Sequence, residues 1–74
     1  MFRLFIRING IKEIFETNKN ESIRDLKSKI EESFGIDPDY QRLEYHASIL
    51  DDDKTLNDYE IGAESVICFY FYRR

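Results

Sequence analysis

Few residues in this chain are able to do covalent or metal chemistry. Cys68 is the only cysteine and His46 the only histidine. Together they would be a thiol and its base. Cys68, however, falls in the middle of the β-branched and aromatic run Val66 to Tyr72, where no helix N-terminus or cation cluster would stabilise a thiolate. His46 falls just past a different strand-like segment. A zinc site needs about four Cys, His or carboxylate ligands in local pairs, and no such spacing occurs. Asp51–Asp52–Asp53 lacks the glycine and terminal glutamate of a calcium loop and reads as a solvated turn. The expectation is therefore no catalysis, no metal and no cofactor. What remains is recognition chemistry. Tyr and Arg are large, amphipathic and enriched at interface hot spots, and the C-terminal run is rich in them.

Seventy-four residues suffice for one domain, residues 1–74, with no room for a second core. A domain of this size buries only about 60–65% of its unfolded surface, so its stability margin is thin. One cysteine allows no intrachain bridge, and six Phe and five Tyr must help the core carry the fold alone. A lone cysteine fits a reducing compartment, and no apolar run approaches a membrane span, so a cytoplasmic or nuclear location is expected. The net charge of −4 and the scattered basic residues argue against nucleic acid as a partner. The expected partner is a protein, with no membrane association and a monomer in isolation.

The elements that must position these residues are legible from periodicity. Phe2, Leu4, Ile6 and Ile8 alternate with Arg3, Phe5 and Arg7, which marks a strand with one buried face. Asn9–Gly10 follows, two residues that tolerate the positive φ of a type I′ turn, so a second strand is expected from about Ile11 to Thr17. Ser22 and Asp25 have the spacing of a capping box, with Asp replacing the usual Glu. Ile23, Leu26, Ile30 and Phe34 recur at helical spacing, and Gly35 supplies a left-handed stop. Gln41–Tyr45 reads as a short strand, Ile49–Leu50 as an apolar pair, and Leu56, Tyr59 and Ile61 as a compact helical turn. Val66–Tyr72 is the last strand, with Ile67, Phe69 and Phe71 on one face and Val66, Cys68, Tyr70 and Tyr72 on the other. The fold class is α+β: a mixed sheet of four to five strands with one main helix and a short second helix. The helix provides a crossover, so the last strand is expected beside the first and parallel to it, the β-grasp topology.

In the order and spacing of several short stretches the chain resembles the ubiquitin family over its whole length. These are Ile23 with Lys27, Lys29 and Ile30; Gly35–Ile36 with Pro38–Asp39; Gln41–Arg42–Leu43; and Thr55–Leu56 with Asp58–Tyr59, Ile61 and Glu64–Ser65. At the N-terminus the apolar alternation fits best with one extra residue, which shortens the first hairpin loop by one. The resemblance implies a ubiquitin-like β-grasp with Leu43, Leu50, Leu56, Ile61, Ile67 and Phe69 facing inward. It implies that Lys27 pairs with Asp52 and that the Tyr59 hydroxyl ties down the preceding loop, so that removing it would strand a buried acceptor.

The resemblance also implies where function departs. The family's main receptor surface is an apolar patch centred on an isoleucine, and Glu44 stands at that position. Arg7, Ile8, Arg42, Cys68, Tyr70 and Tyr72 are expected around it. Phe5, with Arg3 and Arg7 beside it, is a second candidate surface. The chain ends Tyr72–Arg73–Arg74 without the two glycines of a conjugated tail, and Ser48 and Ala63 replace the best-known linkage lysines. The expectation is a non-conjugated ubiquitin-like protein-interaction module, not an enzyme. Such modules recruit ubiquitin-pathway receptors, proteasome subunits or chaperones. Two alternatives stay open: a ubiquitin-like protein modifier whose Gly-Gly end lies beyond Arg74, and a free-standing non-covalent modifier of the kind that acts in splicing.

Overall fold

In the computed structural model, which describes residues 1–71, the alternation of the first segment becomes strand β1 (Phe2–Ile8), with Leu4, Ile6 and Ile8 buried. Asn9 and Gly10 take φ of 53° and 80°, turning the chain into the antiparallel β2 (Ile11–Thr17) with Ile8 opposite Ile11. Helix α1 (Ile23–Phe34) follows, then β3 (Gln41–Tyr45), β4 (Ser48–Ile49) and β5 (Val66–Phe71). Single 3-10 turns, Pro38–Tyr40 and Asn57–Tyr59, lie between them. The sheet has five strands in the order β2-β1-β5-β3-β4, with β1 and β5 parallel and the other neighbours antiparallel. This is the mixed-sheet α+β architecture expected from the sequence.

The caps of α1 show how local chemistry sets its ends. Ser22 Oγ accepts the Asp25 N–H at 3.0 Å, and Gly35, at φ 72°, donates its N–H to the Glu31 carbonyl at 2.7 Å. Among the described residues only this forward half of the expected capping box forms. The Ser22 backbone instead bridges Thr55, and the carbonyls of Lys54 and Asp52 accept the N–H groups of Ile23 and Arg24. The long loop thus satisfies the donors of the first helical turn. Ile23, Leu26 and Ile30 are fully buried against the sheet, whereas Phe34 is 40% exposed at the helix end. Leu43, Leu56 and Ile67 close the core from below with no exposed surface, and Phe2, Tyr45, Tyr59 and Phe69 pack around it.

Three expectations change in detail. The short second helix is one 3-10 turn, entered through reciprocal bonds between Thr55 and Asp58 and ended by Glu60 at φ 58°. The bond from the Thr55 N–H holds the Asp58 carboxyl below its usual range against the opposing effect of desolvation, with lesser help from the Thr55 hydroxyl and the Lys54 charge. The Tyr59 hydroxyl accepts the Asp51 N–H at 2.8 Å, so its removal orphans a solvent-accessible donor and not a buried acceptor. Phe71 shares a face with Ile67 and Phe69 yet is 58% exposed. Its cross-strand partner Gln41 fills the space beneath α1, donating to the carbonyls of Lys27 and Ile36, and leaves Phe71 at the rim against Tyr40. Tyr72, expected to end β5, lies outside the described residues.

The β3–β4 turn carries local strain. His46 and Ala47 both have positive φ, 50° and 66°, in a two-residue turn between the paired Tyr45 and Ser48. A side chain in that region costs about 1–2 kcal/mol, and only part of this is returned as the lower unfolded-state entropy of a non-glycine residue. Ala47→Gly is expected to stabilise the protein by about 0.5–1 kcal/mol. Urea unfolding measures this, and a loss of stability would show that the Ala47 methyl makes contacts that outweigh its strain.

Candidate functional site

The candidate site is built by period-two alternation: every side chain that does not enter the core projects from the opposite face of the sheet. On β1 these are Arg3, Phe5 and Arg7, and on β2 Lys12, Ile14 and Glu16. On β5 they are Val66, Cys68 and Tyr70, and on β3 Arg42 and Glu44. Strand register then decides which of them meet. Arg7 lies beside Cys68, Cys68 beside Glu44, and Arg42 beside Tyr70. Five of the seven residues expected at the site therefore do form one contiguous surface: Arg7, Arg42, Glu44, Cys68 and Tyr70. Tyr72 falls outside the described residues.

Ile8 does not belong to it. It is 5% exposed and sits in the core with Leu4 and Ile6. The two-residue hairpin keeps Ile8 paired with Ile11 inside the strand, so its side chain follows the inward alternation.

At the centre, Arg42 links its neighbours. Its guanidinium lies 5.4 Å from the Tyr70 ring centroid, a cation–π distance, and its Nε is 3.2 Å from Glu44 Oε2. Nε is buried without a hydrogen-bonded partner, so the contact with Glu44 is an ion pair that lacks hydrogen-bond alignment. An exposed cation–π contact is worth about 0.5–1 kcal/mol and a surface ion pair about 0–1 kcal/mol. Their main consequence is a bias of the three side chains toward this one arrangement before any partner arrives. Beside them, Arg7, Asn9, Gly10, Cys68 and the Phe69–Phe71 end of β5 line an open depression of about 360 Å³.

Ile14 and Lys12 are surface features that reading the sequence alone passed over. Ile14 is 56% exposed opposite Phe5, and the Lys12 ammonium sits 5.5 Å from the Phe5 ring centroid. The signal was available, since counting from the Ile8–Ile11 pair places Ile14 across from Phe5. Phe15, beside it, is buried, which accounts for the irregular pattern of this strand.

Cys68 is half-buried with Arg7 and Glu44 as cross-strand neighbours, and His46 stacks on Tyr45 at 4.0 Å in the β3–β4 turn. Among the described residues no hydrogen bond joins the two, and no cluster of three or more His, Cys, Asp or Glu has the arrangement of a metal site. No helix of the described residues is long and apolar enough to cross a membrane.

Away from this face, Lys27 and Asp52 meet as the resemblance implied. Lys27, 7% exposed, places Nζ 2.7 Å from Asp52 Oδ1, and Arg24 spans Asp52 at 3.3 Å and Asp39 at 3.1 Å. Partial desolvation pushes the Asp52 carboxyl up, but Lys27, then Arg24, outweigh it and hold it below its usual value of 3.8. A depressed carboxyl stabilises the fold above its unfolded pKa, and that contribution is lost as pH falls through the lower folded value. Asp52→Asn is expected to lower the melting temperature at neutral pH and to flatten its fall below about pH 4. Thermal unfolding between about pH 2 and pH 7 checks this, and an unchanged acid limb would show that Asp52 does not carry the dependence.

The mixed five-stranded sheet with one main helix agrees with the comparison of the chain with known families. The model of the Ubiquitin family matches residues 4–73, nearly the whole length. Domains of this family are generally binding modules without catalytic activity of their own, and this chain belongs to the ubiquitin family.

Proposed function

We propose that the chain is a non-conjugated ubiquitin-like interaction module that receives a protein partner on the outer face of its sheet. By the breadth of its family, that partner belongs to the ubiquitin–proteasome or chaperone machinery. One observation carries the reading: the ordered Tyr70–Arg42–Glu44 stack, flanked by Arg7 and Cys68, on a face that no other element of the described chain covers. A large aromatic already held against a guanidinium loses little side-chain entropy on docking, which is why Tyr and Arg dominate hot spots. The net charge of −4 supports a protein over a nucleic acid as the ligand.

Tyr70→Ala tests this. Tyr70 is 45% exposed, so its truncation is expected to shift the melting temperature by less than about 4 °C. The same change is expected to abolish retention of partners that the native chain holds. Quantitative capture from cell extract, with native and Tyr70→Ala baits side by side, reads this out. An identical set of retained proteins on both baits sinks the proposal, and a large drop in melting temperature would make Tyr70 a structural residue instead.

A further inference from the structure

Strand β2 is one edge of the sheet, and at seven residues it is much longer than β4, the two-residue strand at the other edge. In a two-residue hairpin the flanking residues, Ile8 and Ile11, exchange backbone hydrogen bonds. The peptide groups of Ile11, Glu13 and Phe15 therefore face β1, and those of Lys12, Ile14 and Glu16 face outward. The Glu16 carbonyl shows this directly, since it accepts Lys29 Nζ from outside the sheet at 2.7 Å. Lys29 occupies one lone pair at one end of the edge. The outward groups of Lys12 and Ile14, and the second lone pair of Glu16, are left to template another strand.

The side chains at these three positions form a self-complementary series. Lys12 and Glu16 carry opposite charges and lie two residues to either side of the exposed Ile14. An antiparallel strand of identical sequence centred on Ile14 sets isoleucine against isoleucine at a two-fold axis. It also sets Lys12 against Glu16 twice, all at hydrogen-bonded positions. A register two residues away loses both charge pairs.

Within one copy Lys12 stands opposite Arg7, a like-charge pair that is unfavourable across a ladder. Neither Lys12 nor Glu16 forms an ion pair among the described residues. A carboxylate arriving from the open side relieves that repulsion. Beneath the edge, an open groove of about 450 Å³ between β2 and α1, lined by Phe15, Lys29, Glu32 and Phe34 among others, gives inward side chains of a second strand room to settle.

We propose that the chain pairs with a second copy of itself through β2, antiparallel and centred on Ile14, joining two five-stranded sheets into one. The contact is a single strand pair, so association is weak and shows only at high concentration, with the monomer expected from the sequence prevailing when dilute. Tyr70, Arg42 and Glu44 lie away from β2 and stay uncovered, so the pair displays two copies of the outer face. This proposal is independent of what binds there.

Sedimentation velocity of the 74-residue chain, from about 10 μM to about 1 mM, tests it over the range where so small an interface associates. The expected result is a sedimentation coefficient that rises with concentration. Lys12→Glu and Glu16→Lys are each expected to weaken association about tenfold, and the double variant to restore it. Circular dichroism shows whether each variant is folded, and Ile14→Lys, which sets like charges at the two-fold axis, is a further disrupting change at an exposed position. Concentration-dependent amide shifts are expected on Lys12–Glu16. A native chain that stays monomeric throughout overturns the proposal. So do single reversals that associate like the native chain, a double variant that fails to recover, or shifts confined to β3 and β5.

Discussion

Leu43→Ala is expected to lower the melting temperature by about 15 °C or more, corresponding to roughly 3 kcal/mol. Leu43 has no exposed surface and lies on β3 between Arg42 and Glu44, paired with Phe69 on β5. Its truncation removes buried contacts and leaves a cavity that a five-stranded sheet with a helix across it has little freedom to close. The effect is large relative to the whole because this small domain has no disulfide and holds its fold with one core. Leu43→Met, which nearly conserves volume, is expected to cost less than about 1.5 kcal/mol. Thermal and urea unfolding of both variants measure this. A loss below about 1 kcal/mol for the alanine variant would show that the core relaxes around the gap. The same substitution is expected to loosen the Tyr70–Arg42–Glu44 stack, since the backbone that carries Arg42 and Glu44 is held down by Leu43.

Glu44→Ile is expected to create affinity for a generic ubiquitin-interacting helix, binding it at least about tenfold more tightly than the native chain does. Burying the Glu44 carboxylate under an apolar helix strips its water, and its charge partner among the described residues, Arg42 at 3.2 Å, would have to be buried with it or displaced. Isoleucine removes that cost. The gain stays well short of a full ubiquitin surface because Ile8 is committed to the core and Tyr70 presents a bulky aromatic beside the new side chain. Amide-shift titration of both chains with the same helix provides the measurement. Tight binding by the native chain would mean that Glu44 does not exclude such receptors.

How far the sequence reaches is clearest at Ile8, where two lines of reading disagreed. Strand alternation placed it inside with Leu4 and Ile6, while family resemblance placed it on the receptor surface. Alternation prevailed because Asn9–Gly10 makes the tightest hairpin, which leaves no loop residue free to turn outward. A resemblance carries positions across only as far as the local backbone is the same, and the first hairpin is where this chain differs. Glu44 and Arg42 on β3 and Tyr70 on β5 lie in paired strands, and the structure brings them together on the outer face.

Element order, the type I′ turn at Asn9–Gly10, the helix stop at Gly35, the inward face of β1 and membership of the ubiquitin family were all determined by the sequence alone. Each depends on signals within a few residues of one another, or on spacing summed along the chain, so no long-range contact is needed to read them. The tertiary structure alone decided which outward side chains touch: Arg42 between Tyr70 and Glu44, Ile14 beside Phe5, and Phe71 displaced to the rim by Gln41. It also left β2 as the long open edge. These features join segments far apart in the chain. They depend on strand register and on competition for space under the helix, neither of which leaves a local mark in the sequence.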